Sequence, residues 1–322
     1  MFSYLVGIIT GVCAPVQTGL NTRLRNVIQS PYKASLVSYG GGFLFTLLIM
    51  IISGASFFLP KKIIYGPIWM WLGGIFGVVL VLFGILSMSK LGSVQSVIFT
   101  VLGQILTGLI LEHFSLFSAR SIPLTFYRFL GAILVATGTI IASIDKSSVN
   151  KEKSSSQKLS KKEIFLYRFC GLLSGGATAC QIPVNAYLTK QIDSTLYTSL
   201  ITFAVGSLVL ILICLFLKIH HPRMNISLES SSSKTSHKST VKLWMLTGGI
   251  FGALIVLANV YLENIFGTGM TVILLLLGQV IGSIVIDAFG FFTDLKKPVT
   301  LLKVAGLALM IGGAALVQAY SL

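Results

Sequence analysis

Two stretches of this chain carry one arrangement of polar residues inside an apolar run. Leu102-Gly103-Gln104 is followed eight residues later by Glu112, and Leu277-Gly278-Gln279 eight residues later by Asp287. Gln104 and Gln279 stand 175 residues apart, and so do Glu112 and Asp287. An amide and a carboxylate are costly to place in hydrocarbon, and side chains of this kind in apolar spans carry function. The same cost met twice at one offset marks a duplicated unit with a polar centre in each copy.

The surrounding composition fixes the class. Only 10% of residues are charged and 54% are apolar, with a mean hydropathy of +0.90. A water-exposed surface needs more charge than that; an average soluble protein has about 25%. Ten apolar segments follow one another, near 3–22, 34–56, 66–87, 93–114, 122–143, 166–188, 195–217, 243–262, 268–289 and 300–320. Most are long enough to cross about 30 Å of hydrocarbon at 1.5 Å per residue. They are continuous rather than alternating, which excludes barrel strands. The expectation is an all-α polytopic membrane protein of ten transmembrane helices. The N-terminal span has no basic residues before it, so it reads as a retained helix rather than a cleaved leader.

The net charge of +15 does not point to nucleic acid, because Lys and Arg sit in the connections and not on one face of a domain. On the side reached after the first span the connections hold 17 Lys and Arg; on the other side they hold four, Lys61, Lys62, Arg120 and Lys190. Arg128, Arg168 and Lys303 fall near helix starts. Basic connections face the cytoplasm, so both termini are expected outside and the protein in the plasma (inner) membrane. Residues 145–164 read as a flexible cytoplasmic linker, and 218–242 as a Ser-rich cytoplasmic loop.

The two halves, 1–144 and 165–322, align residue by residue. Gly7, Gly11, Gln17 and Asn21 match Gly171, Gly175, Gln181 and Asn185 at an offset of 164. From the third span the offset is 175. Gly73-Gly74-Ile75-Phe76-Gly77 then matches Gly248-Gly249-Ile250-Phe251-Gly252, and Gly92, Gly131 and Gly138 match Gly267, Gly306 and Gly313. Each half has five spans, an odd number, so the second enters the membrane from the opposite face. Inverted repeats of this kind underlie many secondary transporters, with the binding site at the repeat interface.

These residues resemble a known family. Gln and Asn late in the first span, Gly-Gly-x-x-Gly in the third, and Leu-Gly-Gln followed by an acid in the fourth are similar to the YdcZ-type inner-membrane exporters of the drug/metabolite transporter superfamily. The resemblance covers nearly the whole chain, in a fused ten-helix form. It implies ten helices around a central cavity and efflux of small solutes. It also implies cytoplasmic termini, opposite to the charge count.

The candidate substrate-binding residues are Gln17, Asn21, Gln104, Gln181, Asn185 and Gln279. Gln17 and Asn21 share one helix face, as do Gln181 and Asn185. Their amides need partners that lipid cannot supply, from a wet cavity or from neighbouring helices. Glu112 and Asp287 are the candidate proton-coupling groups, with Glu263 behind them; the competing reading has each acid at a span end, paired with a nearby base. The Gly-x-x-x-Gly repeats read as close helix crossings. The four cysteines lack metal or disulfide spacing, and no nucleotide loop, nucleophile elbow or metal cluster occurs. No cofactor is expected, and no enzyme. The expected function is secondary export of a small metabolite or organic solute by alternating access, with proton antiport. A passive facilitator or channel, and a non-transporting scaffold or receptor, are the alternatives. The expected partners are a small-molecule substrate and the lipid bilayer, with a homodimer as an open assembly.

Overall fold

A computed structural model describes residues 2–54, 66–119, 121–143, 160–220, 241–292 and 300–319. Most of the linker and the Ser-rich loop, together with Lys61, Lys62 and Arg120, lie outside the described residues. The first half contains α1 (Phe2–Ile28), α2 (Pro31–Ile52), α3 (Gly73–Leu91), α4 (Ser93–His113) and α5 (Phe126–Ser143). The second contains α6 (Lys161–Ile192), α7 (Thr195–His220), α8 (Gly248–Phe289) and α9 (Leu301–Ala319). A 3-10 turn leads into both α3 and α8, at Ile68–Leu72 and Leu243–Thr247.

α8 is not one rod. As a straight helix its 42 residues would span about 63 Å. Tyr4, early in α1, instead packs against Phe266 with ring centroids 4.7 Å apart, while Asn21, late in α1, lies against Gly248. The first arm therefore runs antiparallel to α1. Gly7 lies against Leu274 and Gly19 against Phe292, so the second arm runs parallel to it. The arms correspond to α3 and α4, which turn on Gly92. With φ 83°, Gly92 sits where only glycine is unstrained.

Among the described residues seven spans are long and apolar enough to cross a membrane: α1, α2, α3 with its lead, α4, α7 and the two arms of α8. Phe126–Ala142 and Leu301–Val317 are apolar but shorter. α6 is long but carries Thr178, Gln181, Asn185 and Thr189, and is not among the seven. The sequence expectation of ten equivalent spans is thus met by seven. α6 also starts earlier than expected. Ser160 and Glu163 form a reciprocal capping box, so 160–164 belong to the helix start and not to the linker. At the other loop, α7 continues to His220.

The packing is pseudo-symmetric. α1 crosses the second arm of α8 at Gly11 and Gly278, where a Cβ on either glycine would strike the other helix's backbone. α6 crosses α4 in the same way at the repeat-related Gly175 and Gly103. α5 and α9 meet through Gly131 and Gly138 against Gly313 and Gly306. Lipid gives helices no hydrophobic reason to associate, so such close backbone approach and buried hydrogen bonds hold them. One core cluster joins α4, α5, α8 and α9 through Ile98, Val135, Leu276 and Met310. A second joins α1, α2, α3, α7 and α8 through Leu24, Tyr39, Ile85, Phe203 and Ala253. Leu44 and Leu48 on α2, and Leu208 and Leu212 on α7, point outward, as a lipid-facing surface requires.

Candidate functional site

The amides of the two halves meet. A cavity of about 90 Å³ is lined by Gln17 and Asn21 from α1, Gln104 from α4, Gln181 from α6, and Asn259 and Gln279 from the two arms of α8. Tyr39 and Phe203, repeat-related residues of α2 and α7, close one side with ring centroids 5.2 Å apart. Gln181 is positioned by the opposite half and Asn21 by its own. Gln181 Nε2 donates to the Gly73 carbonyl at 3.0 Å, and Asn21 Nδ2 to Ser38 Oγ at 3.1 Å.

The Gly-Gly-x-x-Gly runs have a use that helix crossing alone does not describe. A Cβ on Gly252 would come within 2.5 Å of Gln17 Nε2, and one on Gly77 within 2.6 Å of Gln181 Nε2. Those glycines make room for the amides. Asn185 departs from the expected set. It accepts from Thr202 Oγ1 at 3.1 Å and lies against Gly73, outside the cavity. Its counterpart Asn21 lies against Gly248 in the same way but also borders the cavity.

The acids sit beyond the cavity. The Asp287 carboxylate is buried and accepts from the backbone N–H of Ser93 at 2.9 Å and of Val94 at 3.0 Å. It caps the first turn of α4 from the other half. Gly92, at the cap position, has no side chain for this, and an anion suits the positive helix end. Ser93 itself lines the cavity, so Asp287 stands one residue behind its wall.

Glu112 forms a buried ion pair with Arg128 of α5. The Arg128 guanidinium also donates to the carbonyls of Val317, Ile122 and Pro123 at 3.3, 3.0 and 3.2 Å, with none of its side chain exposed. Arg128 thereby ties the ends of α4 and α9 to the 121–125 segment. Glu112 also borders a second cavity of about 40 Å³, and Gln104 lines both cavities. Glu263, on the first arm of α8, is half-buried and borders neither.

Three residues of this site escape the sequence reading. Arg128 looks like a charge at a helix start, yet a signal was present: Lys303, 175 residues later, is also basic and also buried. Ser93 acquires its place only through Asp287. Asn259 has Gly84 at its related position, so a search for matched polar residues passes over it. Among the described residues no group of three or more His, Cys, Asp or Glu is placed to hold a metal.

Comparison with known proteins is decisive for the family. The description "Putative inner membrane exporter, YdcZ" matches residues 2–141 and again 166–316. This chain belongs to the YdcZ exporter family. It is a multi-pass membrane protein of the transporter class, not an enzyme. Its two matched stretches coincide with the two pseudo-symmetric sets of helices. No curated protein matches. Among 27 matching solved chains, one crystal structure aligns over 98% of this chain and 97% of its own, at 13% identity with a TM-score of 0.54. At that identity the likeness concerns the fold alone.

Proposed function

We propose that this YdcZ-family protein is a secondary transporter that exports a small metabolite or organic solute by alternating access. The observation that carries the reading is the convergence of amides from both halves on one cavity. In this reading the five-span halves are inverted repeats, all ten segments cross the membrane, and the basic connections face the cytoplasm. The paired glycine crossings supply smooth contacts on which one half can rock against the other.

Proton antiport is the proposed coupling. Two placements support it: Asp287 holds the backbone of a cavity-lining residue, and Glu112 borders the second cavity at the far side of Gln104. Protonating Asp287 weakens its hold on α4 at the cavity wall; protonating Glu112 weakens its pairing with Arg128. Glu263 is a third candidate, a half-buried carboxylate on a span whose repeat-related residue is Met88. A passive facilitator is the second reading, favoured by the two cavities meeting at Gln104.

Counterflow in proteoliposomes separates them. Solutes selected by thermal stabilisation of the purified protein are placed on the far side of the bilayer. A carrier shows trans-stimulated uptake; a channel shows none. Under an imposed pH gradient, Glu112→Gln and Asp287→Asn lose gradient-driven flux. Normal gradient-driven flux in both variants removes the proton coupling.

A further inference from the structure

The lining of the central cavity indicates what kind of molecule fits it. Resting on the transporter reading, we infer that the cavity takes a small neutral polar solute, and that Asn259 is the side chain that selects for it.

Charge comes first. Among the described residues that line the cavity, every polar side chain is an amide or a hydroxyl, and none is Lys, Arg, His, Asp or Glu. Of the three candidate acids, Glu112 is committed to Arg128 and Asp287 to the start of α4, and Glu263, four residues from Asn259 on the same helix, does not line the cavity. An ion entering such a site sheds its water and meets no counter-charge, an arrangement that low-dielectric surroundings penalise. A neutral solute avoids that penalty.

Polarity comes second. The lining amides and hydroxyls supply both donors and acceptors. A polar solute pairs with them; an apolar one leaves them desolvated without partners, and that opposes binding.

Asymmetry comes third. Gln17 and Gln181, and Gln104 and Gln279, are repeat-related pairs facing the cavity from opposite halves. Asn259 has no such counterpart, since its related residue is Gly84, which also lines the cavity. The cavity therefore has a polar wall at Asn259 and an open one at Gly84. An oriented solute is held with its polar end towards α8. The volume of about 90 Å³ accommodates on the order of six to nine water-sized groups.

The test uses three solutes on one four-carbon frame: butane-1,4-diol, 4-aminobutan-1-ol as the ammonium, and 4-hydroxybutanoate as the anion. Binding is measured calorimetrically on full-length protein in nanodiscs at neutral pH, and counterflow of the same solutes in proteoliposomes. The diol is expected to bind at least about tenfold more tightly than either ion. Asn259→Ala weakens the diol about tenfold. Asn259→Asp, which keeps the shape and adds a negative charge, moves the ammonium ahead of the diol, a gain that a misfolded protein cannot give. Tighter binding of either ion to the unmodified protein, no binding of any of the three, or unchanged selectivity in both variants overturns the inference. Diol-selective binding without counterflow preserves it and removes the transporter reading. Counterflow of an ion in preference to the diol does the reverse.

Discussion

Replacing Asp287 by Asn removes a charge while keeping the shape, at the point where one half holds the other. The carboxylate accepts from two backbone N–H groups, those of Ser93 and Val94. A hydrogen bond to a charged group contributes about 1.5–3 kcal/mol, against about 1 for a neutral one. Asparagine keeps one oxygen, so one N–H retains a neutral partner. The other N–H faces an NH₂ and loses its bond. Removing the anion from the helix N-terminus costs about 0.3–1 kcal/mol more. The local loss is therefore about 2–6 kcal/mol, so the substitution is not silent in folding, in contrast to a carboxylate that only relays protons. A loss of 2 kcal/mol speeds opening-limited amide exchange about thirtyfold. Hydrogen exchange read on the peptide from Met88 to Ile98 should accelerate by that factor or more. Peptides from α5 and α9, which Asp287 does not cap, should change far less. Unchanged exchange at the start of α4, or an equal acceleration throughout the chain, refutes the cap and with it the link between Asp287 and the cavity wall.

Three further outcomes test other parts of the structure. Arg128→Met leaves Glu112 buried without its counter-charge and should cost about 3–5 kcal/mol; thermal unfolding of Glu112→Gln/Arg128→Met should recover much of it. Gly278→Ala drives a Cβ into the backbone of Ile8 and Gly11 and should abolish the folded state in detergent, whereas Gly108→Ala, with nothing within 4 Å, should be neutral or slightly stabilising by the same unfolding assay. The Glu163 carboxyl is held below the usual carboxylate range, first by the Ser160 N–H and then by the Ser160 hydroxyl. Its contribution to the start of α6 is present above the ordinary carboxylate pKa and is lost as pH falls through the lowered one. Exchange at Ser160–Ile164 should therefore differ between the native chain and Glu163→Gln at neutral pH and converge in acid.

Much of the architecture is local in origin and was legible. A run of apolar residues has nowhere to go but lipid or a helix core, whatever else the chain does. The duplicated Gly, Gln and Asn positions exposed the repeat, because each is disfavoured in a span unless something holds it there. The same reasoning grouped Gln17, Asn21, Gln104, Gln181, Asn185 and Gln279, and all of these but Asn185 line one cavity. The α6 start was also written in the chain, as Ser160 and Glu163 three apart before an apolar run, although the charged composition of 145–164 reads as linker.

What the sequence could not supply is anything that depends on which helices meet. Asp287 and Ser93 are 194 residues apart, and no local pattern says that an acid ending one helix will cap the beginning of another. Arg128 became a buried partner of Glu112 only when α4, α5 and α9 closed around it. Asn185 and Asn21 are repeat-related, yet only Asn21 borders the cavity, because two helices of a pseudo-symmetric pair need not present the same face. Asn259 was hidden for the opposite reason: repetition reveals shared features, and Asn259 is where the halves differ. Secondary structure and class follow from the solvent preferences of each residue taken with its near neighbours. Partner choice follows from close packing summed over distant segments, and that sum exists only in the folded protein.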